Sequence, residues 1–260
     1  MKALVTADLH FQSKMIKDKF YLDKQKRILE QKLPSLDECD VVIIAGDVVE
    51  SSIMNSPVNL FNALYYLFKK EVIFCLGNHE FAYHKHSHVI EYWKQFKHTH
   101  VHCLDIDGHV NFMGVNFVGN VLWYDFSLNK NLMLMKGEII DGWLDSTIED
   151  FDPLKECEKC KQQIYSNLSK DSKNILITHT VPHIDLNYFS REEPYSPYNA
   201  YSGCDRFLLD CQDKGFEIEY AICGHTHKKE CKEIWNVNCI NVGNDYFHRT
   251  GSISYMIIEI

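Results

Sequence analysis

The chain has 260 residues, of which 45% are hydrophobic, and a formal net charge of −9. This length and composition allow a sizeable globular core, and the negative charge argues against a surface that generally attracts nucleic acid or anionic membrane. No apolar stretch approaches the roughly 20 residues that a membrane-spanning helix needs. Because the N-terminal residues are typical of a strand rather than a signal peptide, a cytoplasmic protein is expected.

In chain order, the first third of the sequence alternates strands and helices. Apolar runs at Lys2–Thr6, Val41–Ala45 and Glu71–Leu76 predict buried strands. A helical period of apolar residues at Tyr21–Lys32 and Pro57–Lys69 predicts the helices between them. This alternation predicts parallel strands joined by right-handed crossovers.

The remainder of the chain is predicted to add a hairpin, further strands and three helices. The helices are expected at His84–Phe96, Pro153–Leu168 and Cys204–Gln212, and the strands at His98–Cys103, Val110–Phe112, Val115–Val118, Asn174–Thr178, Tyr220–Cys223, Cys231–Trp235, Val237–Asn241 and Ser252–Ile258. Two segments without periodicity, near 120–152 and 181–205, are interpreted as loop insertions over a site. No domain boundary is indicated, so residues 1–260 are expected to form a single domain.

The ten cysteines are interpreted as free thiols, because nothing in the sequence points to export. Most of them lie in apolar runs and are expected to be small buried side chains. Cys157 and Cys160 form a C-x-x-C pair inside a predicted helix, but no second pair follows. Two incidental thiols on a surface helix are therefore favoured over half of a zinc site.

Five of the predicted strands end directly in polar residues that can bind a metal or transfer a proton. These residues are Asp8 and His10, Asp47, Asn78 and His79, His179, and His225 and His227. Because the carboxyl ends of parallel strands share one edge of a sheet, the side chains are expected to converge. Carboxylates, an amide oxygen and several imidazoles suit manganese, iron or zinc better than magnesium alone. Their number fits two ions that share a carboxylate better than one tetrahedral ion.

The segments ADLH, AGD, LGNHE, THT and CGHTH resemble, in this order, the motifs of the calcineurin-like metallophosphoesterases. The resemblance covers the chain from Met1 to about Gly243. It implies an α/β fold, a four-layer α-β-β-α sandwich of two mixed sheets flanked by helices. The implied ligands are Asp8, His10, Asp47 and His227 for one divalent ion, and Asp47, Asn78, His179 and His225 for the other, with Asp47 bridging and manganese expected before iron or zinc. His79 is implied to be the acid that protonates the leaving oxygen.

The function implied by the resemblance is hydrolysis of phosphomonoesters or phosphodiesters by a hydroxide that bridges the two metals. A phosphoester substrate is the expected partner, a membrane is not, and nucleic acid is expected only as a substrate. Gly46 and Asp47 are followed by Val48, Val49 and Glu50, without the Asp-Arg-Gly of the protein serine/threonine phosphatases, which argues against that activity. The alternatives are a nuclease acting on short or single-stranded nucleic acid and, less favoured, a non-catalytic metal-binding scaffold. No substrate-binding residue is predicted.

Several other polar and aromatic residues are interpreted as structural. Glu80 is expected to orient a neighbour rather than to bind metal, and His183 is assigned to a surface loop. The histidines of two further tracts, His84, His86 and His88, and His98, His100 and His102, are expected to be solvated. The loop aromatics Trp123, Tyr124, Tyr188, Phe189, Tyr195, Tyr198 and Tyr201 are expected to pack their loops rather than to stack on a substrate.

Overall fold

The computed structural model describes residues 1–33, 35–50, 57–129, 138–188, 196–244 and 253–260. The first sheet has the strand order β11-β1-β2-β3-β4 and the second the order β5-β6-β7-β8-β10-β9. The strands are β1 (Lys2–Thr6), β2 (Val41–Ala45), β3 (Glu71–Cys75), β4 (Val101–Cys103), β5 (His109–Phe112), β6 (Val115–Asn120), β7 (Asn174–Thr178), β8 (Ile218–Cys223), β9 (Glu230–Ile234), β10 (Val237–Asn241) and β11 (Met256–Glu259).

Both sheets are mixed, with parallel strands at their centres. β1, β2, β3 and β4 are parallel, and β11 pairs antiparallel with β1. In the second sheet β6, β7, β8 and β10 are parallel, whereas β5 and β9 pair antiparallel with β6 and β10. The carboxyl ends of the central strands therefore lie along one edge of each sheet.

Alternating side chains of the central strands pack into two different layers. Val41 and Ile43 of β2 pack in one cluster with Ile175 and Ile177 of β7 between the sheets, whereas Ile44 packs on the helical side. The helices are α1 (Ser13–Lys17), α2 (Lys19–Lys32), α3 (Pro57–Phe68), α4 (His86–Trp93), α5 (Leu104–Asp107), α6 (Pro153–Asn167) and α7 (Phe207–Asp213). The protein is thus an α/β fold in which helices flank two stacked mixed sheets, as predicted.

The predicted strands and helices occur in the predicted order, with different ends, and the structure adds two short helices, α1 and α5, that were not predicted. The hairpin of β5 and β6 is present, α4 is shorter than His84–Phe96, and α7 begins at Phe207 rather than Cys204. The irregular segments contain short 3-10 turns, including Leu144–Thr147 and Pro197–Tyr201. Parts of these segments, and the first residue of the predicted Ser252–Ile258 strand, lie outside the described residues. Among the residues described, no helix has the length and apolar character needed to cross a bilayer.

All ten cysteines are free thiols. The interpretation of Cys157 as an incidental thiol on a surface helix is wrong, because its side chain is buried. Cys157 packs against Cys204, with 3.6 Å between the two sulfur atoms. Since Cys204 lies 47 residues further along the chain, the C-x-x-C spacing carried no information about this pair.

Candidate metal centre

The loops that follow β1, β2 and β8 share a left-handed backbone conformation at the candidate ligands. The φ angles are 51° at Asp8, 48° at His10, 49° at Asp47, 68° at His225 and 55° at His227. Residues other than glycine occupy this region at a cost of about 1–3 kcal/mol each. Such strain persists only where the surrounding structure imposes it, and five of the candidate ligands share it.

Backbone hydrogen bonds align the loop after β1 with the loop after β2. The N–H groups of Asp8 and His10 donate to the carbonyl oxygens of Gly46 and Asp47, at 3.1 and 2.9 Å. The Asp8 carboxylate accepts from the backbone N–H of His225 at 3.0 Å, which adds the loop after β8. These bonds fix the relative positions of side chains that are distant in the sequence.

A first group of candidate ligands consists of Asp8, His10, Asp47 and His227. Each offers one ligand atom, and these atoms all lie within 4.8 Å of one another. Asp8, His10 and Asp47 are buried, and His227 is partly exposed. Burial lowers the pKa of His10 to about 3, so its imidazole is neutral at pH 7, as a metal ligand must be. The sequence-predicted residues for one ion are therefore brought together.

A second group surrounds Nε2 of His179. This atom lies 3.1 Å from Oδ1 of Asn78, 3.3 Å from Oδ2 of Asp47 and 3.1 Å from Nδ1 of His225. The outer ring nitrogens, His179 Nδ1 and His225 Nε2, donate to the backbone oxygens of Ala45 and Tyr201, each at 3.0 Å. Donation from the outer nitrogen leaves the inner nitrogen available as a ligand. Three potential ligand atoms thus lie within 3.3 Å of a fourth, His179 Nε2.

The donor set of the second group suits a cation. Burial by itself lowers the pKa of His179, but the Asp47 carboxylate outweighs it and raises the pKa to about 10. Burial and the neighbouring His179 lower the pKa of His225 to about 3, so that ring is neutral. Without a cation, a proton on His179 can offset the Asp47 charge, and a divalent ion placed there would do the same for the whole group.

Asp47 belongs to both groups. Its Oδ2 atom lies 3.3 Å from His179 Nε2 and 3.8 Å from His10 Nε2, while Oδ1 accepts from the backbone N–H of His79 at 3.0 Å. The side chain is 1% exposed. A single buried carboxylate therefore stands between two sets of ligand atoms.

His79 lies at the edge of the centre, with its ring between two carboxylates. Nδ1 is 3.2 Å from Glu50 Oε2, and Nε2 is 3.8 Å from Asp47 Oδ2. Burial lowers the pKa of His79, but Asp47 and Glu50 outweigh that effect and raise it to about 9. In the sequence Glu50 is notable only as part of a departure from a phosphatase motif, and no local pattern indicates its approach to His79.

Glu80 orients neighbouring backbone, as predicted. One carboxylate oxygen accepts from Val49 N–H at 2.8 Å and the other from Gly77 N–H at 2.6 Å. The carboxylate thus connects the loops that follow β2 and β3, which carry Asp47 and Asn78. Glu80 is fully buried, and it holds the backbone of the two loops that carry these ligands without contacting the ligands' side chains through a described hydrogen bond.

A cavity of about 320 Å³ opens beside the centre. It is lined by candidate ligands and His79, together with Gly142, Trp143 and Leu144. Trp143 stacks on Tyr198 and Tyr201, with ring centroids 5.2 and 5.4 Å away. The segment interpreted as an insertion near 120–152 therefore supplies a wall of the cavity.

Two histidines interpreted as solvated or surface residues are buried instead. His86 is 9% exposed and stacks on Phe81 and Phe151, with ring centroids 4.8 and 5.5 Å away. His183 is 5% exposed and accepts through Nδ1 from the backbone N–H of Asp185. Both also pack against distant segments, His86 against Phe151 and His183 against Trp235 with ring centroids 5.0 Å apart, and the local sequence does not reveal these contacts.

Three of the described loop aromatics pack inside the protein, as predicted. Trp123, Tyr124 and Tyr201 are fully buried, whereas Tyr198 is 47% exposed. Phe189 and Tyr195 lie outside the described residues. Tyr124 also donates a hydrogen bond to Asp145, a buried carboxylate that no sequence pattern singled out.

A family model described as calcineurin-like phosphoesterase matches residues 1–229. The chain belongs to this family. It is therefore a phosphoesterase of a metal-dependent family, and the structure brings together candidate metal-binding residues that the sequence motifs contain. No curated protein matches the chain.

Solved structures with the same fold include three of low sequence identity. The phosphopantetheinyl hydrolase PptH of Mycobacterium tuberculosis is similar at 15% identity and a TM-score of 0.62, over 98% of this chain and 95% of that one. A dimetal phosphatase from Danio rerio is similar at 14% identity and a TM-score of 0.54, over 99% of this chain and 91% of that one. The protein TT1561 of Thermus thermophilus is similar at 10% identity and a TM-score of 0.52, over 98% of this chain and 97% of that one. At these identities the likeness shows the fold alone.

Proposed function

We propose that this phosphoesterase uses two divalent metal ions to hydrolyse phosphomonoesters or phosphodiesters, with water as the nucleophile. The observation that carries the proposal is the position of Asp47 Oδ2, between His10 of the first group and His179 of the second. A carboxylate shared by two ligand groups can bind two neighbouring metal ions at once, as the proposed dinuclear site needs.

The proposed ligands are the two groups described above. Asp8, His10, Asp47 and His227 would hold one ion, and Asp47, Asn78, His179 and His225 the other. Two ions bound there would lower the pKa of a shared water and neutralise charge on the phosphoryl oxygens. Carboxylate and imidazole ligands suit manganese, with iron and zinc as alternatives.

The proposed general acid is His79. Its ring reaches the cavity, and Glu50 accepts from Nδ1, which orients the ring and favours its protonated form. A protonated imidazole at the cavity can donate its proton to the oxygen of the leaving group. Glu50 then stabilises the ring without itself contacting the substrate.

The test of the proposed function is Asp47→Asn, because this change removes the shared charge with little change in shape. We expect loss of metal-dependent hydrolysis for an aryl phosphomonoester and its bis-aryl diester, whereas the exposed Asp37→Asn variant keeps the wild-type rate. Undiminished turnover by Asp47→Asn would refute the proposal.

A short single-stranded oligonucleotide serves as a third substrate and separates the alternatives. Cleavage of the oligonucleotide with no turnover of either aryl ester would identify the nuclease alternative. A protein that binds divalent ions but turns over none of the three substrates would fit the non-catalytic scaffold.

A further inference from the structure

Asp145 is a fully buried carboxylate that lies outside both groups of candidate ligands. It accepts three hydrogen bonds from side chains: from Asn78 Nδ2 at 2.8 Å, from Tyr124 OH at 2.9 Å and from Trp143 Nε1 at 3.0 Å. An amide NH₂ group and an indole N–H can only donate, so the carboxylate is the acceptor in these bonds. Each of these three partners is therefore held through its donor atom.

The contact with Asn78 determines which end of the amide faces the centre. An asparagine amide has a donor end and an acceptor end of nearly equal size, and only the oxygen can bind a cation. Because Asp145 accepts only from Nδ2, the Oδ1 atom is turned toward His179 Nε2, 3.1 Å away. Among the described hydrogen bonds, the Asp145 carboxylate is the side-chain acceptor for Nδ2 of Asn78.

The Asp145 carboxylate also fixes the position of Trp143, which forms a wall of the cavity. Trp143 lines the cavity together with His79, and its indole N–H donates to Oδ2 of Asp145. Its ring stacks on Tyr201, whose backbone oxygen accepts from His225 Nε2. Asp145 thus connects Trp143 with Asn78. Through its stack on Tyr201, Trp143 is also linked to His225, another candidate ligand.

We propose that Asp145 is a positioning residue that orients Asn78 toward the second ion and fixes Trp143 as the wall against which the leaving group lies. This inference rests on the proposed function and extends it to the substrate. An indole and a leucine beside the scissile position suit an aromatic or aliphatic leaving group better than a charged one. Asp145 itself contacts neither substrate nor metal.

The first test is a titration of the Asp145→Asn variant with Co²⁺, in which binding is monitored by the visible absorption of the bound ion. The new amide can present a donor to Asn78, so the Asn78 oxygen loses its fixed orientation. We expect the second equivalent of Co²⁺ to bind about 10- to 100-fold more weakly, the usual effect of removing a partner of a metal ligand. The first equivalent keeps its affinity, because none of its ligands contacts Asp145 through a described hydrogen bond.

Asp23→Asn is the matched control for this titration. It removes a partly buried carboxylate that accepts from the Tyr66 hydroxyl, as Asp145 accepts from the Tyr124 hydroxyl, and that belongs to neither group of candidate ligands. Both equivalents should bind to this variant as they bind to the wild type. Equal weakening of both equivalents by Asp145→Asn, together with a lower thermal midpoint of the metal-free protein, would indicate a general structural role and overturn the inference.

The second test separates the two contacts of Asp145 by their kinetics. Trp143→Phe removes the indole N–H but leaves Asn78 and Asp145 in place, so the Co²⁺ titration should be unchanged and KM for an aryl ester should rise. Asp145→Asn should lower kcat as well. If Asp145→Asn has the same kcat, KM and Co²⁺ affinities as the wild type, the inference is refuted. If the wild-type protein binds two Co²⁺ but hydrolyses no ester, the proposed function is refuted, and the titration still tests the role of Asp145.

Discussion

Gly46 illustrates how closely single residues are fitted to the centre. A Cβ atom at this position would lie 2.3 Å from His179 Nδ1, and the backbone φ is +83°. Glycine is therefore required at this position for two reasons: a side chain would collide with His179, and the positive φ is unfavourable for other residues. The non-glycine residues with positive φ after β1, β2 and β8 do carry backbone strain, and hydrogen bonds between the loops hold them in this conformation.

Gly46→Ala is expected to displace His179 and to weaken metal binding. Gly114→Ala is a matched control, since Gly114 has φ +84° and a Cβ atom there would have no described neighbour within 4 Å. Both variants incur the left-handed backbone cost of about 1–2 kcal/mol, so the difference between them measures the clash with His179. Thermal denaturation and Co²⁺ titration of both variants provide the comparison, and equal effects in the two would contradict it.

At the scale of elements, the site depends on loops that are joined to one another rather than on any one strand. The loop after β1 bonds to the loop after β2 through backbone groups, and Glu80 bonds the loop after β2 to the loop after β3. Each loop carries one or two candidate ligands. Their relative positions are therefore set by buried hydrogen bonds between consecutive strand ends.

Glu80→Gln should destabilise this connection. The amide can accept from one backbone N–H, but its NH₂ group then faces the other and leaves that donor unpaired. An unsatisfied buried donor costs about 1–3 kcal/mol of unfolding free energy. Urea denaturation measures the loss, with the exposed Glu149→Gln as the control; a variant as stable as wild type would show that the two bonds are dispensable.

At the scale of the whole molecule, the two sheets bring acidic and imidazole groups from five strand ends into one buried region. Asp8 and Asp47 are at most 1% exposed, in a protein of net charge −9. Two adjacent buried carboxylates repel each other, and bound cations would relieve that repulsion. Folding and metal binding are therefore expected to be coupled.

Addition of Mn²⁺ to the chelator-treated protein should raise its thermal midpoint. A ligand at 100 times its dissociation constant stabilises the native state by about 2.7 kcal/mol. The shift should be smaller in Asp47→Asn, because both ligand groups lose the shared charge. Differential scanning calorimetry with and without Mn²⁺ checks this, and identical midpoints for the wild type would count against a native metal site.

The sequence by itself determined the strands, the helices between them and the residues at the strand ends, because these features depend on local periodicity and short motifs. It did not reveal Asp145, since a single acidic residue in a segment without periodicity carries no local signal. Nor did it reveal that His86 and Cys157 are buried. Their surroundings are built by residues such as Phe151 and Cys204, and only the tertiary structure decides which distant segments meet.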